Sequence, residues 1–408
     1  MKKKLTTKLL HCKIIASTAS EWLAKPLNLN TVRKHKLLYS VLFVTLIVSA
    51  FSPVKKVKRQ PALKEAFAGR FYVGTAMNAG QIMERDSASV RVIKENFNAI
   101  VAENCMKSGP IQPLEGEFNF EQPDKFVEFG EKNNLFITGH CLVWHSQAPS
   151  WFFKDSQGKD VTREVLIERM KKHIYTVAGR YKGRVKGWDV VNEALNEDGT
   201  LRMTKFLEII GEDYLQLAYQ FAHDADPSAE LYYNDYALAN PAKRNGAIAL
   251  VKKLKEQGAR VDAIGEQCHI GLNYPDIREF EKSIEAFAAL GVKVMITEMD
   301  ISVLPSPDRR MSADISASFD YQKKLNPFTE GLPDSVNAIF EKRYLDFFKL
   351  FLKHKKVITR VTLWGVNDAL SWKNNFPVRG RTDYPLLFDR KNQPKPVVQK
   401  IMDLAVKK

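Results

Sequence analysis

Short apolar, β-branched runs alternate with longer amphipathic stretches from about residue 70 to the C-terminus. Eight runs read as strands: Phe71–Met77, Ala99–Met106, Leu135–Trp144, Val185–Ala194, Glu230–Tyr236, Ala263–Ile270, Lys293–Ile301 and Arg360–Asp368. The stretches between them read as helices, among them Thr162–Tyr181, Asp213–Ala225, Lys243–Gln257, Ile277–Leu290 and Ala338–Lys355. In the first of these, Val165, Leu166, Met170, Ile174, Val177 and Ala178 recur with the 3.6-residue period and define one apolar side. Gly258, Gly291 and Asp226-Pro227 supply stop signals after three of the helices.

Strands that alternate with helices make a parallel sheet. A repeat of eight, joined by right-handed crossovers, favours closure into a (β/α)8 TIM barrel over an open doubly wound sheet. No Gly-x-Gly-x-x-Gly follows the first strand and no Walker loop occurs, which argues against nucleotide binding. The long Pro-, Ser- and Asp-rich segment Leu304–Ser335 would lie on the C-terminal rim of such a barrel, where loops carry function.

Composition changes the picture mainly at the N-terminus. The net charge of the 408 residues is +15, yet residues 1–60 alone hold 13 Lys and Arg against the single acid Glu21, a surplus of +12. The basicity therefore belongs to a tail and not to a nucleic-acid-binding face. Within the tail, Arg33, Lys34, His35 and Lys36 precede an apolar run, Leu37–Phe51, which ends in Val48-Ser49-Ala50. At 15 residues it is shorter than the roughly 20 of a membrane span and fits a secretory core. The expected organisation is a basic tail over 1–60, cleaved as a signal peptide or kept as a signal anchor, and one catalytic domain over 61–408, exported from the cytoplasm. Membrane attachment would require the uncleaved segment. Beyond Cys12 the cysteines are Cys105, Cys141 and Cys268, an odd number without Cys-x-x-Cys spacing, so neither a disulfide framework nor a zinc site is expected.

Polar residues gather at the C-terminal ends of the strands: Glu103, Asn104 and Lys107; His140, Trp144, His145 and Gln147; Asn192 and Glu193; Asn234 and Tyr236; Gln267 and His269; Glu298 and Asp300; Trp364, Asn367 and Asp368. In a barrel these ends converge on one mouth, and core packing alone does not produce such a set. Gln267 and His269, like Glu298 and Asp300, share a face by strand alternation, whereas Glu266 turns toward the helices. Glu193 and Glu298, each ending an apolar run, look like the paired acids of a glycosidase. Asp189 reads as a supporting acid, and Trp151 and Trp188 as packing residues.

Five stretches carry a resemblance. Gly139-His140-Cys141-Leu142-Val143-Trp144-His145-Ser146-Gln147, Trp188–Glu193, Gly265-Glu266-Gln267-Cys268-His269, Thr297-Glu298-Met299-Asp300 and Trp364-Gly365-Val366-Asn367-Asp368 together resemble glycoside hydrolase family 10, the endo-β-1,4-xylanases, over about residues 65 to 405. The resemblance implies a retaining reaction without cofactor or metal, with the two carboxyl groups about 5–5.5 Å apart. Glu193 would be the general acid/base, its pKa raised by the neighbouring carboxylate, and Glu298 the nucleophile. Asn192 would bond the sugar 2-hydroxyl, and His269, held by Asp300, would keep Glu298 ionised. Lys107, His140 and Gln267 would contact the sugar at the cleavage site, and Glu103 and Asn104 the next one out. Trp144, Trp364 and Trp372 would offer apolar faces to pyranose rings, Gln147 would join the substrate-binding set, and Asn234 and Tyr236 match leaving-group-side positions. The implied partner is xylan, acted on by a monomer, with a β-glucanase or a non-catalytic polysaccharide-binding protein as the alternatives. Two departures stand out: Ser108-Gly109 follow Lys107 where the family usually has tryptophan, and Cys141 and Cys268 occupy positions where threonine and a smaller residue are expected.

Overall fold

The structure is a computed structural model that describes residues 62–306 and 324–406. The chain divides into two units, Met1–Gln60 and Pro61–Lys408. The first, with its apolar run, lies outside the described residues, as does the stretch 307–323 of the long rim segment. Among the described residues no helix is long and apolar enough to cross a membrane.

The strands are β1 (Tyr72–Met77), β2 (Ala99–Ala102), β3 (Phe136–Trp144), β4 (Gly187–Asn192), β5 (Glu230–Asp235), β6 (Ala263–Glu266), β7 (His269–Gly271), β8 (Lys293–Ser302) and β9 (Ile358–Leu363). They pair in the order β6-β5-β4-β3-β2-β1-β9-β8-β7, all parallel, and β6 also pairs with β8. That last pairing closes the ring. β7 prolongs β6 along the same neighbour, with His269 opposite Asp300, so the barrel has eight staves. This is the TIM barrel that the alternation predicts.

Strands buried on both faces read as continuous apolar runs, and all four residues of β2 and all six of β4 are buried. Bulky side chains pack against both faces of the sheet where glycine leaves room. A Cβ on Gly139 would lie 2.1 Å from the Trp188 ring, and one on Gly187 would lie 2.0 Å from the Tyr232 hydroxyl. Outside the barrel, the helices bury their apolar stripes against it and one another; Phe280 and Phe347, with ring centroids 5.0 Å apart, join two neighbouring helices.

The helices begin and end close to the sequence signals. Arg163–Arg180 is capped by Thr162, whose side chain accepts from the Val165 amide. Pro241–Glu256 follows Asn240, which caps it, and Gly258 takes up φ +82° beyond its end. Ile277–Ala288 follows the same pattern, capped by Asp276, whereas Asp334–Lys353 begins after Pro333 without a side-chain cap, four residues before the stretch that the periodicity marks. One expected core position is different: Val165 is 41% exposed, and His173 takes its place on the buried side. At the first turn of a helix the apolar stripe has only just begun to face the barrel.

The strands differ from the sequence reading chiefly at the mouth. β2 ends at Ala102 and not at Met106, β4 at Asn192 and not at Ala194, and the last strand covers Ile358–Leu363 and not Arg360–Asp368. The polar residues at these ends leave the ladder and turn. The run Ala263–Ile270 breaks because the buried carboxylate of Glu266 takes the Cys268 amide at 3.3 Å, and Cys268 adopts φ +62°. Three register shifts fall near the same level, between His140 and Val143 on β3, between Asp189 and Val191 on β4, and between Ile296 and Met299 on β8, and a fourth lies near the start of β8, between Val294 and Met295.

Candidate active site

Glu193 and Glu298 both reach the mouth, in different surroundings. Glu193 stands one residue past β4 with φ +57° and is half-buried. Its Oε1 accepts from Gln267 Nε2 at 3.0 Å and Asn192 Nδ2 at 3.2 Å, and its Oε2 from Trp144 Nε1 at 3.0 Å. Glu298, on β8, is only 4% exposed. Its Oε1 accepts from Asn234 Nδ2 at 2.8 Å, and its Oε2 faces His269 Nε2 at 3.1 Å. A chain of amides joins the two acids: Asn234 Nδ2 also donates to Asn192 Oδ1 at 2.9 Å, while Asn234 Oδ1 accepts from Thr297 Oγ1 at 2.7 Å.

Behind Glu298 lies a charge relay of fixed geometry. His269 Nδ1 meets Asp300 Oδ2 at 2.9 Å, and the same oxygen accepts from Trp372 Nε1 at 2.7 Å. Burial opposes a charged imidazole, but the charge and hydrogen bond of Asp300 and the hydrogen bond of Glu298 outweigh it and lift His269 to about 9. Burial likewise opposes an ionised Glu298. The hydrogen bond from His269, the charges of His140 and His269, and the Asn234 amide prevail, and hold the carboxyl below its ordinary range.

A second imidazole–carboxylate pair sits across the mouth, His140 Nδ1 to Asp189 Oδ2 at 2.8 Å, with both side chains buried. Trp364 is the floor between the two: its ring lies edge-on to His140 at 5.4 Å and to His269 at 6.3 Å. Lys107 Nζ donates to Asn104 Oδ1 at 3.0 Å and stands 4.9 Å from the Trp144 ring. Glu103 joins them, its carboxyl raised by burial against the charge of Lys107 and the Asn104 hydrogen bond. Trp372 stacks on Phe376 at 5.0 Å and closes the side next to His269, at 4.8 Å.

The structure thus brings together Glu103, Asn104, Lys107, His140, Trp144, Asn192, Glu193, Gln267, His269, Glu298, Asp300, Trp364 and Trp372. Asn234 belongs to the cluster as a fully buried brace, with both amide hydrogens already engaged by Asn192 and Glu298. Tyr236 is present at the rim, its hydroxyl accepting from Arg202 Nη2 at 2.9 Å. Gln147 stands apart: its side chain is exposed and bonds none of the others, and only its carbonyl is used, by the Gly109 amide at 2.9 Å. The approach is close enough to require glycine at 109, because a Cβ there would sit 2.6 Å from the same carbonyl. Asn367 and Asp368 also leave the mouth. They bond Ser89, Asn392 and the Leu386 amide beneath it, where Asp368 pairs with Lys395.

Several contributors gave no signal in the sequence. Arg202 donates to the Glu193 carbonyl at 3.1 Å as well as to Tyr236, and comes from an irregular loop with no periodicity. Lys243 lies under the Tyr236 ring at 3.4 Å and pairs with Asp235 at 3.0 Å; on a helix its charge reads as solvent-facing, yet it is wholly buried. Lys373 comes within 3.7 Å of Asp300. Cys105, Cys141 and Cys268 are buried free thiols, as their spacing implies.

Comparison with known proteins agrees with this geometry. Residues 62–404 match the model of glycosyl hydrolase family 10. The chain is 50% identical over 347 residues to endo-1,4-beta-xylanase A of Xylanibacter ruminicola, covering 85% of this chain and 94% of that one. It is 41% identical to an endo-1,4-beta-xylanase of Geobacillus stearothermophilus, with 84% and 98% covered. A solved endoxylanase of the same family, retrieved from a sugarcane soil metagenome, superposes with a TM-score of 0.80 at 42% identity, covering 85% of this chain and all of the other. On the family model alone, which spans most of its length, the chain belongs to glycosyl hydrolase family 10.

Proposed function

We infer that the protein is a retaining endo-β-1,4-xylanase that cleaves internal bonds of xylan by double displacement. The observation that carries this reading is the pair of carboxylates in unlike settings, Glu298 buried between Asn234 and His269, and Glu193 half-buried among Trp144, Asn192 and Gln267. Glu298 attacks the anomeric carbon while Glu193 gives its proton to the leaving oxygen. The C1–O bond to the aglycone breaks as the C1–Oε bond forms. Water then attacks C1, Glu193 takes its proton, and the electron pair returns to Glu298. Asn192, Lys107, His140 and Gln267 hold the sugar at the cleavage site, Glu103 and Asn104 the sugar beyond it, and Trp144, Trp364 and Trp372 pack against the rings. Tyr236, backed by Lys243 and Arg202, forms the wall on the leaving-group side. His140 is held by Asp189 through Nδ1, which leaves Nε2 for a sugar hydroxyl.

The test is release of reducing ends. Glu193→Ala and Glu298→Ala should each remove activity on xylan, and on a substrate with an activated leaving group external azide should give a glycosyl azide of retained configuration with Glu193→Ala and of inverted configuration with Glu298→Ala. Wild-type rates in either variant would overturn the assignment. Faster hydrolysis of carboxymethylcellulose than of xylan would instead make the protein a β-glucanase. Export is proposed from the basic flank and apolar run Leu37–Phe51, and N-terminal sequencing of the mature protein distinguishes a cleaved leader from an anchor.

A further inference from the structure

We propose that Lys373 is a positioning residue that sets the balance between the two half-reactions, by placing a buried positive charge behind the nucleophile. This rests on the reading of Glu298 as nucleophile. The geometry is specific. Asp300 is fully buried, and both protein donors that reach it, His269 Nδ1 and Trp372 Nε1, use Oδ2. Its Oδ1 has no hydrogen-bond partner and faces Lys373 Nζ at 3.7 Å. Lys373 is 9% exposed, rests 4.3 Å from the Trp372 ring, and among the described residues has no other carboxylate within 4.0 Å. A short 3-10 turn, Trp372–Asn374, anchored by the Ser371 hydroxyl on the Lys373 amide, delivers it there.

The charge count shows what the lysine changes. Glu298 and Asp300 carry two negative charges and His269 one positive charge, which leaves the relay one unit negative. Lys373 neutralises it. The other groups facing Asp300 do not supply this. Cys268 and Tyr344 are buried and held neutral, and Asp383 is a further acid, tied to Ser302 Oγ at 2.6 Å and the Val303 amide at 3.1 Å. A cation on this side of Glu298 stabilises the free carboxylate relative to its glycosyl ester. It therefore restrains the attack that forms the C1–Oε bond and assists the departure that breaks it, when water adds to C1 and the electron pair returns to Glu298.

The experiment uses the full chain and two aryl xylobiosides. With a dinitrophenyl leaving group the second step limits turnover, and with an unsubstituted phenyl group the first does. Lys373→Met should lower kcat on the dinitrophenyl substrate about tenfold, with KM falling in parallel as the ester accumulates, and the pre-steady-state burst should grow. On the phenyl substrate kcat should hold or rise, and Lys373→Arg should behave like the parent. Equal losses on both substrates, with or without a drop in melting temperature, would mean a merely structural role and overturn the proposal, as would unchanged constants on both. A dinitrophenyl burst absent from the parent and every variant would count against the nucleophile itself, which Glu298→Ala tests separately.

Discussion

Glu266→Gln should uncouple stability from pH. Glu266 sits at the end of β6, 4% exposed, beside Asp235 of the paired strand. Burial lifts its carboxyl from 4.5 to about 8; the Asp235 charge adds to the rise, while the Cys268 amide and the Lys243 charge oppose it. The folded protein thus holds a proton that the unfolded chain releases above pH 4.5. Its contribution is fully present below that pH and is lost as pH climbs through about 8. A shift of that size, at 1.36 kcal/mol per unit, corresponds to on the order of 4 kcal/mol between the two ends of the window, part of it shared with Asp235. Glutamine keeps an acceptor for the Cys268 amide and has no proton to lose. Urea denaturation at pH 5, 6, 7 and 8 is the assay. The variant should match the parent at pH 5 and exceed it by a few kcal/mol at pH 8. Parallel curves across the window would refute the reasoning, because a carboxyl already ionised in the folded state at pH 5 cannot produce the divergence.

Three further outcomes are expected. Asp300→Asn removes the charge that keeps His269 protonated, so the acid limb of kcat/KM, which reports ionisation of Glu298, should move upward by about one unit; an unmoved limb would show that the relay does not tune Glu298. Trp144→Phe removes one donor from Glu193 and should lower kcat/KM roughly ten- to a hundredfold with little change in melting temperature. Gly139→Ala drives a methyl group into the Trp188 ring and should cost about 3 kcal/mol in chemical denaturation, whereas a loss under 1 kcal/mol would mean that the indole can move aside.

The barrel was legible because its strands are buried on both faces and its helices on one, and these two burial patterns leave different periods in the sequence. The site was legible where a strand end and a polar residue coincide, as at Glu193, Glu298 and His269. It was illegible where a long side chain travels. Lys243 and Lys373 look like solvated charges in a linear reading, and only the fold shows the carboxylates that receive them. Gln147 differs from the rest of the set in being exposed, with φ +55°, and local backbone conformation of that kind leaves no mark in polarity alone. Asn367 and Asp368 failed for a third reason: the last strand stops at Leu363, so their alternation no longer indexes the mouth.

The backbone of Glu193 has a consequence for drift. At φ +57° a residue with a Cβ sits in a region that costs roughly 1 kcal/mol or more, and glycine or asparagine would sit there with less strain. With Glu193 as the proposed acid/base, conversion to either would relieve that strain and remove the proton donor. Thermal resilience and catalysis pull apart at this one position, and a selection for heat tolerance without a concurrent selection for turnover would lead populations of this gene toward inert barrels.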